Sequence, residues 1–268
     1  VARLDRRLRQ DGLGRSFYLM ASNGGVFSVE RAERQPVMLV ESGPVGGCIG
    51  TGVYAEALGI DKAIAFDMGG TTAKCAVVEN GRFEVKSPYY IGGMERGFPV
   101  RGAVLDIVEV GAGGGSIAWI DRGGFLCVGP QSAGADPGPA CYGKGGVNPA
   151  VTDADIALGY LNPGYFLGGA QSLDVAASEA ALQARIGEPL GMSVREAASG
   201  ILQIVDQRMA DEVKIFGAKR GVDPQDFTLL PFGGAGAVHA ASVADELGMT
   251  RIFVPPRPGA FSALGLLC

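Results

Sequence analysis

The chain has 268 residues, 47% of them hydrophobic, and carries a net charge of −5. The apolar content is enough for one large domain or two modest ones, and the acidic balance, with no basic block, argues against nucleic acid as a partner. No run of about 18 apolar residues exists, so no segment reads as a membrane span, and the opening VARLDRRLRQDG is a charged helical fragment rather than a signal peptide.

In chain order, residues 1–11 read as the end of a helix and 17–25 as a buried strand running into a turn. PVMLVESGPVGG (36–47) predicts a strand and then a helix opening at Ser42-Gly43-Pro44, which runs to Leu58 and stops at Gly59. AIAFD and AKCAVV predict a hairpin, and strands follow at 83–91 and 104–112. From Val128 to Val151 the sequence is loop-like, and a loop that long in a compact domain is usually functional. Helices are predicted at 153–160, 174–186 and 194–219. The last opens with a Ser193-Val-Arg-Glu196 capping box and carries the stripe Ile201, Val205, Met209, Val213 and Phe216. FTLLPF, GGAG, AVHAASVADELG and RIFVPP then read as a βαβ unit, so the whole chain reads as α/β, with candidate sub-lobes at 1–150 and 151–268.

Glycine is the compositional outlier, at 44 residues. In IAFDMGGTTAK a strand delivers Asp67 to a tight turn, Gly69 and Gly70 bare the backbone, and Thr71 and Thr72 add hydroxyls and N–H groups. A carboxylate, open backbone donors and hydroxyls at one hairpin tip are the parts that hold a metal–phosphate pair, although an ordinary glycine turn has the same sequence pattern. Gly233-Gly234-Ala235-Gly236 opens a helix after a buried strand, where N–H groups and a partial positive charge suit a nucleotide. A Rossmann site fits less well, because His239 stands where the third glycine belongs and no acidic residue follows at the required spacing.

Gly111–Gly115 with Ser116 reads as a phosphate or oxyanion nest, with Gly113 and Gly114 as ligand contacts, or else as a bulged hairpin. His239, the only histidine, can face a ligand or pack internally, and it stands beside Asp67 as a catalytic candidate. Asp67 and Asp136 are the candidate metal ligands, whereas the carboxylates of TDAD (152–155) read first as a helix cap. Cys141 reads as an inert thiol, having no basic group beside it in sequence. Five cysteines in odd number without CxxC suit reduced thiols and a cytoplasmic setting. The chain opens on a residue other than Met and ends inside the apolar LGLLC, which reads as a piece of a longer polypeptide.

The segments ESGPVGG, AFDMGGTTAK, VGAGGGSIAWID, VGPQSAGADPGPACYGKGG, VTDADIALGYLNP, LLPFGGAGAVHAA and PPRPGAFSALGLL together resemble the hydantoinase A/5-oxoprolinase family over essentially the whole chain. The resemblance implies an actin-like ATPase fold built on ribonuclease-H-like lobes with mixed sheets and flanking helices. It also implies ATP with Mg²⁺ or another divalent metal, and a B-type partner subunit or domain. In that reading Asp67, Gly69, Gly70, Thr71 and Thr72 form a phosphate hairpin, and Gly233, Gly234 and Gly236 approach the ribose and adenine. The implied activity is ATP-dependent hydrolysis of hydantoin- or 5-oxoproline-like cyclic amides. A ketone carboxylase subunit and a non-catalytic nucleotide-binding module are the alternatives, and homo-oligomerisation is left open. Family members carry another such hairpin in a preceding domain, so these 268 residues alone are expected to turn over little.

Overall fold

A computed structural model describes residues 1–91, 97–100 and 102–268. Two compact units divide the chain, one built from Val1–Ala65, Ala76–Ile107 and Gly259–Cys268, the other from Phe66–Cys75 and Val108–Pro258. The division therefore does not fall near residue 150, where the sequence turns from strand-rich to helix-rich. Two of the four crossings between units lie inside strands, at Ala65–Phe66 and Cys75–Ala76, where the residues are buried in apolar runs and no turn-forming composition marks the passage.

The elements that matter below are, in chain order, α1 (Ser42–Leu58), β1 (Lys62–Met68), β2 (Ala73–Glu79), β3 (Val108–Val110), β4 (Ser116–Ile120), β5 (Leu126–Ser132), α2 (Val151–Ala157), α3 (Val175–Leu182), α4 (Val194–Arg220), β6 (Thr228–Phe232), α5 (Gly236–Leu247) and α6 (Phe261–Gly265). In the first unit α1 starts and ends where its Ser-Gly-Pro opening and left-handed Gly59 predict. Its small residues let α6 approach closely: a side chain at Gly50 would meet the Phe261 ring at 3.0 Å. The predicted strand at 36–39 is instead a 3-10 turn, Pro36–Leu39. Pro36 has no N–H to give a ladder, and Met38 and Leu39 pack on the Ala21, Phe27 and Ala32 cluster. The stretch 83–91 breaks into short paired pieces at Arg82–Phe83, Val85–Lys86 and Tyr89–Ile91.

The strand order of the main sheet is β3-β2-β1-β6. β3 lies antiparallel to β2, with Glu109 opposite Lys74 and Val110 opposite Ala73. β4 and β5 form a hairpin with a register shift between Ser116 and Ala118, and Asp121 closes it by accepting from the amides of Gly123 and Phe125. The loop predicted from Val128 thus begins only after Ser132. RIFVPP does not extend the sheet as a strand. It makes a single parallel bridge, Ile252 with Leu229, before two prolines end pairing. The α/β class stands, with mixed strand directions and helices packed alongside.

α4 follows its sequence closely. Ser193 and Glu196 exchange the two capping-box hydrogen bonds, and Gly221 ends the helix in the left-handed region at φ 69. Its predicted stripe is buried, and the helix packs against α2 and α5. One residue breaks the stripe: Asp206 is buried between Val205 and Met209.

Candidate functional site

All residues discussed here belong to the second unit. β1 ends at Met68, and the turn to β2 is closed by the Gly69 amide donating to the Thr72 carbonyl at 3.1 Å. The amides of Gly70, Thr71 and Thr72 have no hydrogen-bond partner among the described residues. Three unpaired backbone donors on one bend are the parts of an anion cradle. The same turn is braced from behind. Gly114 donates to the Gly69 carbonyl at 3.1 Å and Gly115 to the Gly70 carbonyl at 2.6 Å, while Gly113 donates to Ser116 Oγ at 2.9 Å.

That bracing corrects the nest reading of residues 111–115. The amides of Gly113 and Gly114 are spent on the protein and support the turn. A Cβ at Gly113 would stand 2.7 to 2.8 Å from the Thr71 and Thr72 backbone, so only glycine allows this contact.

The second glycine turn meets the first directly. Ala235 donates its amide to the Met68 carbonyl at 3.0 Å, and Gly233 takes φ +85. A Cβ at Gly233 would lie 2.5 Å from Asp67 Oδ1, so both the backbone angle and the close carboxylate exclude a side chain there. Burial pushes the Asp67 carboxyl above the usual aspartate range, and Lys74 offsets this in part.

One cavity of about 380 Å³ opens between these turns, within the usual range for small-molecule sites. Gly69, Gly70, Gly114, Thr152 and Asp155 form its polar floor, and Gly234, Ala235 and Val238 form one wall. Tyr142, Leu161, Phe166 and their neighbours supply an apolar side. Of the predicted residues, Gly69, Gly70, Gly114 and Gly234 line the cavity. Gly113, Gly233 and Gly236 pack behind it, Thr71 and Thr72 sit on the turn itself, and Asp67 stands against Gly233 rather than in the lining.

Asp136 departs from expectation. It is exposed on the loop after β5 and does not line the cavity. Among the described residues no group of three or more His, Cys, Asp or Glu side chains could hold a metal. Mg²⁺, which needs only one or two carboxylates when phosphate oxygens and water complete its shell, fits the Asp67 turn, and an all-protein transition-metal cage does not.

His239 also departs from expectation. It is 2% exposed and absent from the lining. Its Nδ1 lies 2.7 Å from Asp206 Oδ1, and Nε2 lies 3.6 Å from Asp155 Oδ2, an ion-pair distance beyond hydrogen-bond length. Burial alone would lower the His239 pKa, but the Asp206 hydrogen bond and the nearby charges of Asp155 and Asp206 outweigh it and push the value up to about 9. The imidazolium therefore contributes stability fully below its unfolded pKa of about 6.5, and that contribution disappears as pH rises through about 9, amounting to about 3 kcal/mol. Melting temperature should fall across this window in the purified protein, and the slope should be missing from His239→Gln. A flat profile in the wild type between those values would exclude the charged pair.

The TDAD carboxylates divide by role. Asp153 is fully buried and accepts from the amides of Ala140, Cys141 and Ala150 and from the Ser178 hydroxyl. It is the cap that the sequence indicated. Burial, then the charge of Asp153, pushes the Cys141 thiol up, in keeping with an inert thiol. Sequence reading missed Thr152, Asp155 and Asp206 as members of the site. Asp206 had a visible signal, a carboxylate inside the apolar stripe of α4, whereas Thr152 and Asp155 are hidden in a cap-like tetrapeptide.

The sequence profile described as Hydantoinase/oxoprolinase matches residues 1–268. The chain belongs to that family. It is similar to an ATP-dependent caprolactamase from Pseudomonas jessenii, at 37% identity and a TM-score of 0.82, with 99% of this chain and 38% of that one covered. A nucleotide-free acetone carboxylase structure, from work on ATP-dependent acetone carboxylation, matches at 32% identity and TM-score 0.90, over 99% of this chain and 37% of that one. 5-Oxoprolinase 1 of Arabidopsis thaliana is 35% identical over 274 residues, which is 96% of this chain and 21% of that protein. This family member thus spans less than two fifths of the length of each of these relatives.

Proposed function

We propose that this chain carries nucleotide-handling machinery of an enzyme that uses ATP to activate a cyclic amide for ring opening. The observation that carries the reading is the opening of the Gly69–Thr72 and Gly233–Gly236 turns onto one cavity. The Gly70, Thr71 and Thr72 amides would hold the terminal phosphate, Asp67 would hold the Mg²⁺ that accompanies it, and Gly234 would leave room for the nucleoside. Transfer of the γ-phosphoryl group of ATP to the amide oxygen, with ADP leaving, would make the carbon electrophilic enough for water to add. The ring nitrogen would then leave as the amine, and a second water would hydrolyse the acyl phosphate to carboxylate and phosphate. The turn's contribution is donors fixed in place before the charge moves, which need no reorganisation during transfer.

The caprolactamase and 5-oxoprolinase relatives support the amide reading, since both names denote enzymes of cyclic amides. The higher TM-score of the acetone carboxylase chain favours a second reading, an ATP-dependent ketone carboxylase subunit. Curated relatives are named as subunits, which supports a partner subunit in either case. The test is ATP turnover by the full polypeptide with its partner. Hydantoin, 5-oxoproline or caprolactam should raise phosphate release at least tenfold. Stimulation only by acetone or acetophenone with bicarbonate would replace the amide reading with the carboxylase one, and nucleotide binding without turnover on any of these would leave a binding module.

A further inference from the structure

The cavity presents an entering anion with two opposite kinds of polar group. The Gly70, Thr71 and Thr72 amides only donate. Asp155, 2% exposed, lines the same cavity with an Oδ1 that makes no hydrogen bond. The two groups are tied together. Thr152 gives both its amide and its hydroxyl to the Gly114 carbonyl, at 2.8 and 2.7 Å, and Gly114 in turn donates to Gly69. Asp155 follows Thr152 by three residues, so it stands one helical turn from the point where α2 is fastened to the back of the anion turn.

An anion on that turn shares the cavity with a buried carboxylate, and among the described residues no lysine or arginine lines it. Away from bulk water such repulsion is poorly screened. A proton on Oδ1 removes the repulsion and converts an idle acceptor into an O–H donor, which a phosphate oxygen can accept. One change then satisfies both the buried oxygen and the incoming charge.

Geometry selects the carboxylate that takes the proton. The titratable groups facing Asp155 are Asp153 on α2 itself, Asp206 from α4 and His239 from α5, and Tyr142 lines the cavity beside them. Asp153 already accepts from four donors, and Asp206 holds His239 Nδ1 at 2.7 Å. Asp155 meets Nε2 only at 3.6 Å and is the least engaged of the three carboxylates. Burial holds its carboxyl above the usual aspartate range, the charges of Asp206 and Asp153 add to this, and the His239 imidazolium opposes it.

We propose that Asp155 is a proton-linked anion-binding residue, which takes one proton from solvent as a phosphate group enters the cavity and donates the resulting O–H to a phosphate oxygen. This rests on the nucleotide reading above and adds a pH dependence to that site. Where Asp155 is ionised in the free protein and protonated in the complex, affinity falls by up to about tenfold for each unit rise in pH. Asparagine copies the protonated state, because its NH₂ donates with no proton to acquire.

The experiment is calorimetric titration of the full polypeptide with the non-hydrolysable ATP analogue AMP-PNP and Mg²⁺, in buffers of different ionisation enthalpy, from about pH 6.5 to pH 8. The wild type should take up at least half a proton more than Asp155→Asn, since the ligand's own protons are common to both and cancel. At pH 8 the variant should bind at least threefold more tightly than the wild type, and its affinity should vary less with pH. The wild-type count in excess of the ligand's own titration tests the same point without a variant. A count explained by the ligand alone, or an equal count in both proteins, overturns the inference. Weaker binding at pH 8 by an Asp155→Asn protein that melts like the wild type overturns it too, because the carboxylate would then be acting while ionised. A wild type that binds no AMP-PNP at any of these pH values instead sinks the underlying nucleotide reading, and the proton linkage with it.

Discussion

Asp67→Asn is expected to lower ATP turnover by roughly a thousandfold in the full polypeptide while leaving the protein at least as thermally stable as the wild type. The two effects share one cause. Asp67 ends β1 beside the anion turn, its Oδ1 packed against the bare backbone of Gly233. Burial raises its pKa, so at neutral pH the fold holds a charge it would hold more easily as a neutral group. The sign follows by linkage: a carboxyl whose folded pKa lies above its unfolded value destabilises the protein once pH exceeds that unfolded value. The amide removes that cost with nearly the same shape. It also removes the negative charge that would hold Mg²⁺ against the phosphate, and activity falls. Such an exchange of stability for function is what a functional site predicts and a structural carboxylate does not. Turnover within tenfold of the wild type would remove Asp67 from the mechanism, and a large fall in melting temperature would make it structural.

The sequence disclosed the parts of this fold whose signals are local. The limits of α1 and α4 are written in their flanking residues, and the turns at Gly69–Thr72 and Gly233–Gly236 lie where strand, glycine and helix-start chemistry put them. The failures occurred where meaning depends on what lies across space. PVML has strand composition, yet the cluster of Ala21, Phe27 and Ala32 packs it as a 3-10 turn. Gly113 looks like a ligand contact but packs against the back of another turn, more than forty residues earlier in the chain, where Gly114 donates to the Gly69 carbonyl while lining the cavity. His239 sits on a helix first turn, where it could have met a ligand, and instead lies between carboxylates from α2 and α4. No spacing rule relates residues 155, 206 and 239. The pairing of Asp206 with His239 was half visible as a charge inside an apolar stripe, because a buried carboxylate requires a partner.

Asp153→Ala should cost about 3–5 kcal/mol of stability, the largest loss expected from any single side chain near the site. Four donors converge on this carboxylate: the amides of Ala140 at 3.0 Å, Cys141 at 2.8 Å and Ala150 at 2.8 Å, and the Ser178 hydroxyl at 2.7 Å. The residues that donate are themselves buried, so water cannot replace the lost acceptor. Asp153→Asn keeps one accepting oxygen but turns an NH₂ toward donors, and it should recover only part of the loss. The damage would reach the cavity, because the donors come from three places: the loop before Tyr142, the start of α2 and the first turns of α3. Tyr142, next to the anchored Cys141, lines the cavity, so loosening the loop should weaken ligand binding. Cys141 provides a second readout. Burial and the neighbouring Asp153 charge both hold its thiol above the usual range, and the variant removes the charge and relaxes the burial. Thiol labelling at Cys141 should therefore accelerate as the urea midpoint falls. Unchanged unfolding together with unchanged labelling would show that the loop is held by its other contacts, and that the carboxylate at 153 is not its anchor.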